Sequence, residues 1–400
     1  MKDACSWACI VDNPAVAAAY SWDIFCRVID NLGDIGVCWR LCADLARRGH
    51  QIRLWVDDPS SLAWMAPGAL EGGWPGVQVL HWSLATQPGT LASLAPAVVW
   101  VEGFGCELPP EFIAHRFGEA GAAASGPPVW INLEYLSAEA FALRSHGLPS
   151  PMGHGPARGQ TRWFFYPGLE PDSGGLLREP GLLERQATFD RGDWLARQGI
   201  AWAGEELVSL FCYAPATLAT LLQRLVQGPA PTVLLVAQGR GAQAVRTHLG
   251  LAPADPVAQP IACHQGALRT VFLPFLTQTD FDHLLWACDL NHVRGEDSFV
   301  RAVWAGKPFV WQIYPQDDGA HHAKLLAMLD ALEAPPSWRR YHVAWNSGTD
   351  VPLPMPAAAD WAPAVQRARN RLLAQTDLGQ RLCAFVDARW DAAGTDQKRR

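Results

Sequence analysis

Two aspartates lie four residues apart in the stretch VIDNLGDIGVCWRL, residues 28–41. Asp30 and Asp34 fall where a buried strand, predicted over residues 22–29, gives way to a helix predicted over residues 35–48. Carboxylates at such a junction can hold a cation or accept a proton. They can equally serve the chain locally, Asp30 in an Asx-type turn and Asp34 as an ordinary helix N-cap. The local sequence leaves both interpretations open.

A second turn of this kind lies in LNHVRGEDSFVRAVWAGKPFVW, residues 290–311. A strand is predicted to end at Val293, Gly295 allows a tight turn, and Ser298 is predicted to open a helix. Free backbone N–H groups at the start of that helix, together with the helix dipole, favour a phosphate group. The Ser298 hydroxyl can cap the helix or join the phosphate. A capped turn without a ligand is the alternative, but capping alone does not require the three charged residues Arg294, Glu296 and Asp297.

Aromatic and amide side chains are predicted at two neighbouring turns. Gln278 and Phe281 begin a helix in FLTQTDFDHLLWACD, and Phe211 and Tyr213 follow the strand in SLFCYA. An amide that forms hydrogen bonds and aromatic rings that stack suit a pyrimidine base. The three aromatic residues can also be core residues, since either role gives the same local pattern.

Alternating strand and helix patterns recur along the chain and predict an α/β fold with two doubly wound domains. The first spans residues 21–185 and the second residues 205–365, and a helical segment at about residues 370–392 is predicted to pack back on the first domain. Between them, residues 167–204 contain turn-forming residues and no strand pattern. Such an arrangement places a ligand cleft between the carboxyl ends of two parallel sheets.

Composition excludes several classes of protein. Hydrophobic residues make up 49% of the 400 residues and charged residues 18%, which is typical of globular chains, and the net charge of -7 does not favour nucleic acid or anionic membrane. No apolar run is long enough for a membrane span. The ten scattered cysteines are predicted to be free thiols in a reducing compartment, and we expect a cytoplasmic protein. The adjacent His321 and His322 lack a third ligand at a suitable spacing, so no metal site is predicted.

Five motifs occur in order between about residues 21 and 332: WDIFCRVIDNLGDIGVCWRL, FFYPGLEPDSGGLLRE, SLFCY, RGEDSFVRAVWAGKPFVWQIYPQDD and HAKL. With them the chain resembles the protein-arginine rhamnosyltransferases, bacterial glycosyltransferases of the GT-B fold. The resemblance implies inverting transfer of L-rhamnose from dTDP-β-L-rhamnose to one arginine of translation elongation factor P. It also implies that the modified factor rescues ribosomes stalled at polyproline, and that no cofactor or metal is needed.

The resemblance also implies roles for individual residues. Asp34 matches the family's catalytic base, Asp30 a supporting acid and Glu296 an acid needed for activity. The residues that match the donor-binding segment are Gly33, Phe211, Tyr213, Gln278, Phe281, Arg294, Asp297 and Ser298. The chemistry agrees with acids at the first turn, because arginine stays protonated and needs groups that hold the guanidinium and accept its proton.

Two other functions stay open at the level of the sequence. One is a GT-B epimerase, or a transferase acting on a small acceptor. The other is a binding module that has kept the nucleotide fold without the chemistry. The second would need only the turn around Ser298, so the presence of Asp30, Asp34 and Glu296 together argues against it.

Overall fold

The structure is a computed structural model that describes residues 19–29, 32–118, 126–316 and 319–397. Within these residues, seven strands form the first sheet. They are β1 Ser21–Cys26, β2 Gln51–Val56, β3 Val77–His81, β4 Val99–Gly103, β5 Val129–Leu133, β6 Pro149–Pro151 and β7 Thr161–Phe165. Their order is β3-β2-β1-β4-β5-β7-β6, parallel except for the edge strand β6. The order reverses on either side of β1, so a crevice forms at the carboxyl end of β1.

The second sheet follows the same plan within the described residues. Its strands are β8 Glu206–Leu210, β9 Thr232–Val236, β10 Ile261–Gln265, β11 Leu268–Phe272, β12 Leu290–Arg294 and β13 Phe309–Gln312. Their order is β10-β11-β9-β8-β12-β13, and only the β10–β11 hairpin is antiparallel. The crevice here lies at the carboxyl ends of β8 and β12, where the predicted turns that carry Phe211 and Arg294 begin.

Helices cover the sheets and connect them. In the first half they are α1 Gly33–Arg47, α2 Leu62–Met65, α3 Pro88–Ser93, α4 Pro110–Phe117 and α5 Ala140–Ser145, with a 3-10 turn at Trp82–Thr86. The connection carries α6 Leu182–Ala187 and α7 Arg191–Arg197 and no strand. The remaining helices are α8 Leu218–Val226, α9 Arg240–His248, α10 Gln278–Ala287, α11 Gly295–Ala305, α12 Ala320–Ala331, α13 Pro336–Trp345, α14 Ala358–Leu373 and α15 Leu378–Gln397.

Contacts between the halves place the two predicted turns face to face. The helices α1 and α11 pack against each other, so the helix that contains Asp34 meets the helix that follows β12. The last helix, α15, returns to the first half, where Leu378, Leu382 and Val386 join the core beside α1 and β5. Within the described residues, no helix combines the length and the apolar character that a membrane span requires.

Several details differ from the sequence prediction. The strand predicted over residues 22–29 ends at Cys26, because the chain then leaves the sheet and the Val28 N–H donates to the Asp57 carboxylate at 2.9 Å. The short edge strands β6 and β10 were not predicted. The eight cysteines that the structure describes are free thiols, as predicted, and six of them are buried.

Candidate active site

Two adjoining cavities lie between the halves at the carboxyl ends of the strands. The first, here the aromatic cavity, is lined by Phe211, Tyr213, Phe281, Arg294 and Gln278, among others. The second, here the acidic cavity, is lined by Asp34, Tyr135, Glu296, Lys324 and others. Gly33 lines both. The two predicted turns therefore contribute to one continuous region of the cleft.

Arg294 is the positive charge of the aromatic cavity. Its guanidinium lies 4.4 Å from the ring centre of Phe211 and 4.4 Å from that of Tyr213, and Phe281 meets Phe211 edge-on at 5.5 Å. The side chain is 6% exposed, yet within the described part of the chain it forms no ion pair with a carboxylate. A buried cation beside open space, held by aromatic faces, suits an anionic ligand.

Ser298 stabilises its own turn. Its hydroxyl accepts from the Arg294 N–H at 3.0 Å and donates to the Arg294 carbonyl. The prediction that Ser298 opens the helix is wrong: α11 begins at Gly295, which has φ of 68°, and Ser298 therefore lies in the first turn. The first turn of α11 borders both cavities, since Gly295 lines the acidic cavity and Asp297 and Ser298 line the aromatic cavity.

Gln278 and Asp297 line the aromatic cavity but also contact the first half. The Gln278 amide donates to the Gly36 carbonyl at 2.9 Å, and Asp297 pairs with Arg40 at 2.9 Å. Burial raises the pKa of Asp297, whereas the positive charges of Arg40 and Arg301 lower it. Both side chains thus join α1 to the donor turns.

Asp34 lies at the edge of the acidic cavity and is 3% exposed. One carboxylate oxygen accepts from the Ile29 N–H at 2.9 Å, and the Tyr135 hydroxyl donates to the other at 3.5 Å. Leu32 is the N-cap residue of α1, so the capping alternative is wrong, and Asp34 is the second residue of the helix.

Glu296 reaches from the second half to the first. One carboxylate oxygen accepts from the Leu136 N–H at 2.8 Å, and the other pairs with the Lys324 ammonium at 2.7 Å. Tyr135 lies near both acids. Burial raises the pKa of its phenol, and the negative charges of Asp34 and Glu296 raise it further. Carboxylates from both halves therefore face one cavity.

Comparison with known proteins decides the family. The family model described as Elongation-Factor P (EF-P) rhamnosyltransferase EarP matches residues 22–387. The chain belongs to the EarP family. Protein-arginine rhamnosyltransferases of Pseudomonas putida and Pseudomonas aeruginosa are 42% and 40% identical to it, over 91% of this chain and 98% of theirs.

A solved structure supports the same relationship. It is described as the structural basis for EarP-mediated arginine glycosylation of translation elongation factor EF-P, and it is 30% identical with a TM-score of 0.61. The similarity covers 92% of this chain and 99% of that one. The predicted family and the predicted GT-B fold with two Rossmann-like sheets are confirmed.

One predicted residue of this EarP-family chain, Asp30, lies outside the described residues. The other predicted acids, Asp34 and Glu296, lie in the acidic cavity, and the predicted donor residues all line the aromatic cavity. In the part of the chain that the structure describes, no group of three or more His, Cys, Asp and Glu side chains could hold a metal ion. His321 lines the acidic cavity, and its imidazole accepts from the Gln316 N–H at 3.1 Å.

Sequence reasoning missed five residues in or beside the cleft. Tyr135 stacks on Phe104 at 4.4 Å beside Asp34, and Trp64 of the first half stacks on Phe275 of the second at 4.6 Å. Phe104 has φ of 59°, a strained value for a residue with a side chain, and such strain clusters at functional sites. The fifth missed residue, Arg40, interrupts the apolar helix pattern VCWRLC, which was its only signal in the sequence.

Proposed function

We propose that this protein transfers L-rhamnose from dTDP-β-L-rhamnose to an arginine side chain of translation elongation factor P. The observation that carries the proposal is the pair of carboxylates, Asp34 from one half and Glu296 from the other, beside a cavity that contains the buried cation Arg294. The names of the family and of its relatives support both the rhamnosyl group and the arginine acceptor.

The donor fits the aromatic cavity. Phe211, Phe281 and Phe275 offer apolar faces for the thymine base, and Arg294 with the N-terminus of α11 offers positive charge for the diphosphate. When the bond between the sugar and the diphosphate breaks, negative charge develops on the leaving dTDP. Groups that already point at that charge stabilise the transition state, so the proposed reaction needs no metal ion or other cofactor.

The acceptor fits the acidic cavity. A guanidinium can bind the Asp34 carboxylate by charge, beside the Tyr135 ring on which Phe104 stacks. In the reaction a guanidine nitrogen forms a bond to the anomeric carbon while the carbon–oxygen bond to dTDP breaks. The nitrogen loses a proton to the Asp34 carboxylate. A single displacement of this kind inverts the anomeric configuration.

The proposal extends to the biological role. Because the acceptor is a translation factor, we place the enzyme in the cytoplasm, and its product would act on ribosomes stalled at polyproline. Partners are then the elongation factor and the nucleotide sugar, with neither nucleic acid nor membrane involved.

Mass spectrometry of the intact acceptor tests the function. Purified elongation factor P is incubated with this protein and dTDP-β-L-rhamnose, and the expected product carries one added deoxyhexose on an arginine. An acceptor of unchanged mass contradicts the proposal, and consumption of the donor without any acceptor would favour an epimerase or a small-acceptor transferase. Calorimetry with dTDP in EDTA tests metal independence, because loss of binding on chelation requires a metal-bridged diphosphate.

A further inference from the structure

Arg40 is a buried cation that contacts three acidic residues on separate segments. It lies on α1 of the first half, and its side chain is 4% exposed. The guanidinium pairs with Glu179 of the connection at 3.2 Å, with Asp282 of α10 at 3.2 Å and with Asp297 of α11 at 2.9 Å. A fourth contact, at 3.2 Å, is donated to the Gln278 carbonyl. All four partners lie beyond the first sheet.

Arg301 belongs to the same ion cluster but has different partners. It lies on α11, is 1% exposed, and pairs with Glu179 at 2.7 Å and with Asp282 at 2.6 Å. Burial opposes ionisation of Glu179, but Arg301 and Arg40 bring its pKa to about 2. Both arginines therefore neutralise buried acids. Of the two, only Arg40 lies on α1, so only its ion pairs link the first half to the cluster.

The position of Arg40 relates it directly to both candidate catalytic acids. Asp34 precedes it on the same helix, and Asp297, its partner at 2.9 Å, is adjacent in sequence to Glu296. A second bond between the same elements, from the Gln278 amide to the Gly36 carbonyl, lies nearby at 2.9 Å. Any shift of α1 against α11 would change the spacing between Asp34 and the donor turn.

We propose that Arg40 is a positioning residue that sets the spacing between the acceptor-side acid and the donor-side turn. The inference rests on the proposed function, because it assigns Asp34 and the donor to opposite sides of one reaction. The planar guanidinium presents donors in fixed directions and so reaches three carboxylates at once. A lysine ammonium is a single point of charge and cannot reproduce that geometry. Misplacement of reacting groups by about 1 Å can cost 100-fold in rate.

Arg40→Lys and its matched control Arg301→Lys test the inference. Both keep the charge of the same buried cluster, but only the first alters the link to α1. Arg40 also borders the aromatic cavity, but its guanidinium N–H groups are directed at the four partners named above. With saturating donor and acceptor we therefore expect kcat of Arg40→Lys to fall by about 10- to 100-fold, with the Kd for dTDP changed by less than about threefold. We expect kcat of Arg301→Lys to stay within about threefold of wild type, although both variants melt at lower temperature.

Three outcomes overturn the inference. Equal losses of kcat in the two variants indicate a general disruption of the cluster. A loss of dTDP affinity as large as the loss of kcat makes Arg40 a donor ligand instead. An unchanged kcat in folded Arg40→Lys shows that the link does not position the acids. If Arg40→Lys fails to fold, Arg40→Met combined with Asp282→Asn removes one charge of each sign and is measured in the same way.

Hydrogen exchange separates this inference from the proposed function. Without donor, backbone amides of residues 33–39 should exchange faster in Arg40→Lys than in wild type, and at the wild-type rate in Arg301→Lys. Unchanged exchange in Arg40→Lys contradicts the inference even if the enzyme is active. Failure of the wild-type protein to modify the elongation factor contradicts the proposed function and leaves the exchange comparison valid.

Discussion

Replacing Asp34 by asparagine removes the proposed base while keeping the shape of the side chain. The Ile29 N–H now donates to one Asp34 oxygen at 2.9 Å, so the asparagine carbonyl oxygen should take over that bond. The amide NH2 group then faces Tyr135 and the acidic cavity. An NH2 group cannot accept a proton, and its positive end repels the acceptor guanidinium. The substitution therefore acts on the chemistry rather than on the turn.

The expected loss follows from the role of a general base. Such a group contributes about 100- to 10,000-fold to a rate, which corresponds to about 2.7 to 5.5 kcal/mol of activation free energy. Asp34 lies outside the lining of the aromatic cavity, so the affinity for dTDP should change by less than about threefold. A fall in kcat with constant donor affinity is the signature of an acceptor-side residue.

Asp57→Asn is a matched control for this substitution. The Asp57 carboxylate accepts from the Val28 N–H at 2.9 Å in the same junction, but it lines neither cavity. Initial rates are measured by intact mass of the acceptor, and circular dichroism checks folding. We expect Asp57→Asn to stay within about threefold of wild type. Near wild-type turnover of Asp34→Asn refutes the assignment of the base, and equal losses in both variants show that the junction is merely structural.

Three further predictions follow from the charges of the site and of the core. Arg294→Met should weaken dTDP binding by about 10- to 100-fold, measured by calorimetry, because a charge-assisted hydrogen bond is worth about 1.5 to 3 kcal/mol. Lys324→Met should lower kcat, because it leaves Glu296 without the ammonium at 2.7 Å, and unchanged turnover contradicts this. Burial raises the pKa of Asp44 from 3.8 to about 7, although Arg48 lowers it. The folded state therefore binds the Asp44 proton more tightly than the unfolded state does. Between pH 4 and 7 the free energy of unfolding of the wild type should fall, relative to that of Asp44→Asn, by up to about 1.4 kcal/mol per pH unit. Parallel plots of unfolding free energy against pH for the two proteins contradict this.

The parts of the site that the sequence predicted depend on local patterns. Phe211 and Arg294 were each predicted at the end of a strand, and parallel strands bring such ends to one edge of the sheet despite their separation along the chain. In the structure the Arg294 guanidinium lies 4.4 Å from the centre of the Phe211 ring. The error at Ser298 was one of boundary, since Gly295 adopts a positive φ and also begins α11. Local sequence specifies the turn more firmly than it specifies the first helical residue.

The parts that were missed depend on contacts between distant segments. Arg40 pairs with residues 139, 242 and 257 positions away, and no local pattern indicates which acids a buried arginine will meet. The strand β6 contains two prolines in three residues, and only its pairing with β7 makes it a strand. Tyr135 lies in an irregular segment after β5, and its importance is visible only once α1 brings Asp34 beside it.

The two acids that face the acidic cavity are held in different ways, and this difference suits them to different tasks. Each is the second residue of a helix that begins with glycine, Asp34 in α1 and Glu296 in α11. The charge of Glu296 is balanced by Lys324, and its second oxygen accepts from the Leu136 N–H, so proton transfer to Glu296 would have to break a strong ion pair. Glu296 is thus better placed to hold the halves in register than to accept a proton. The oxygen atoms of Asp34 accept from an N–H and from a phenol, and that carboxylate can take a proton without dismantling the contact between the halves.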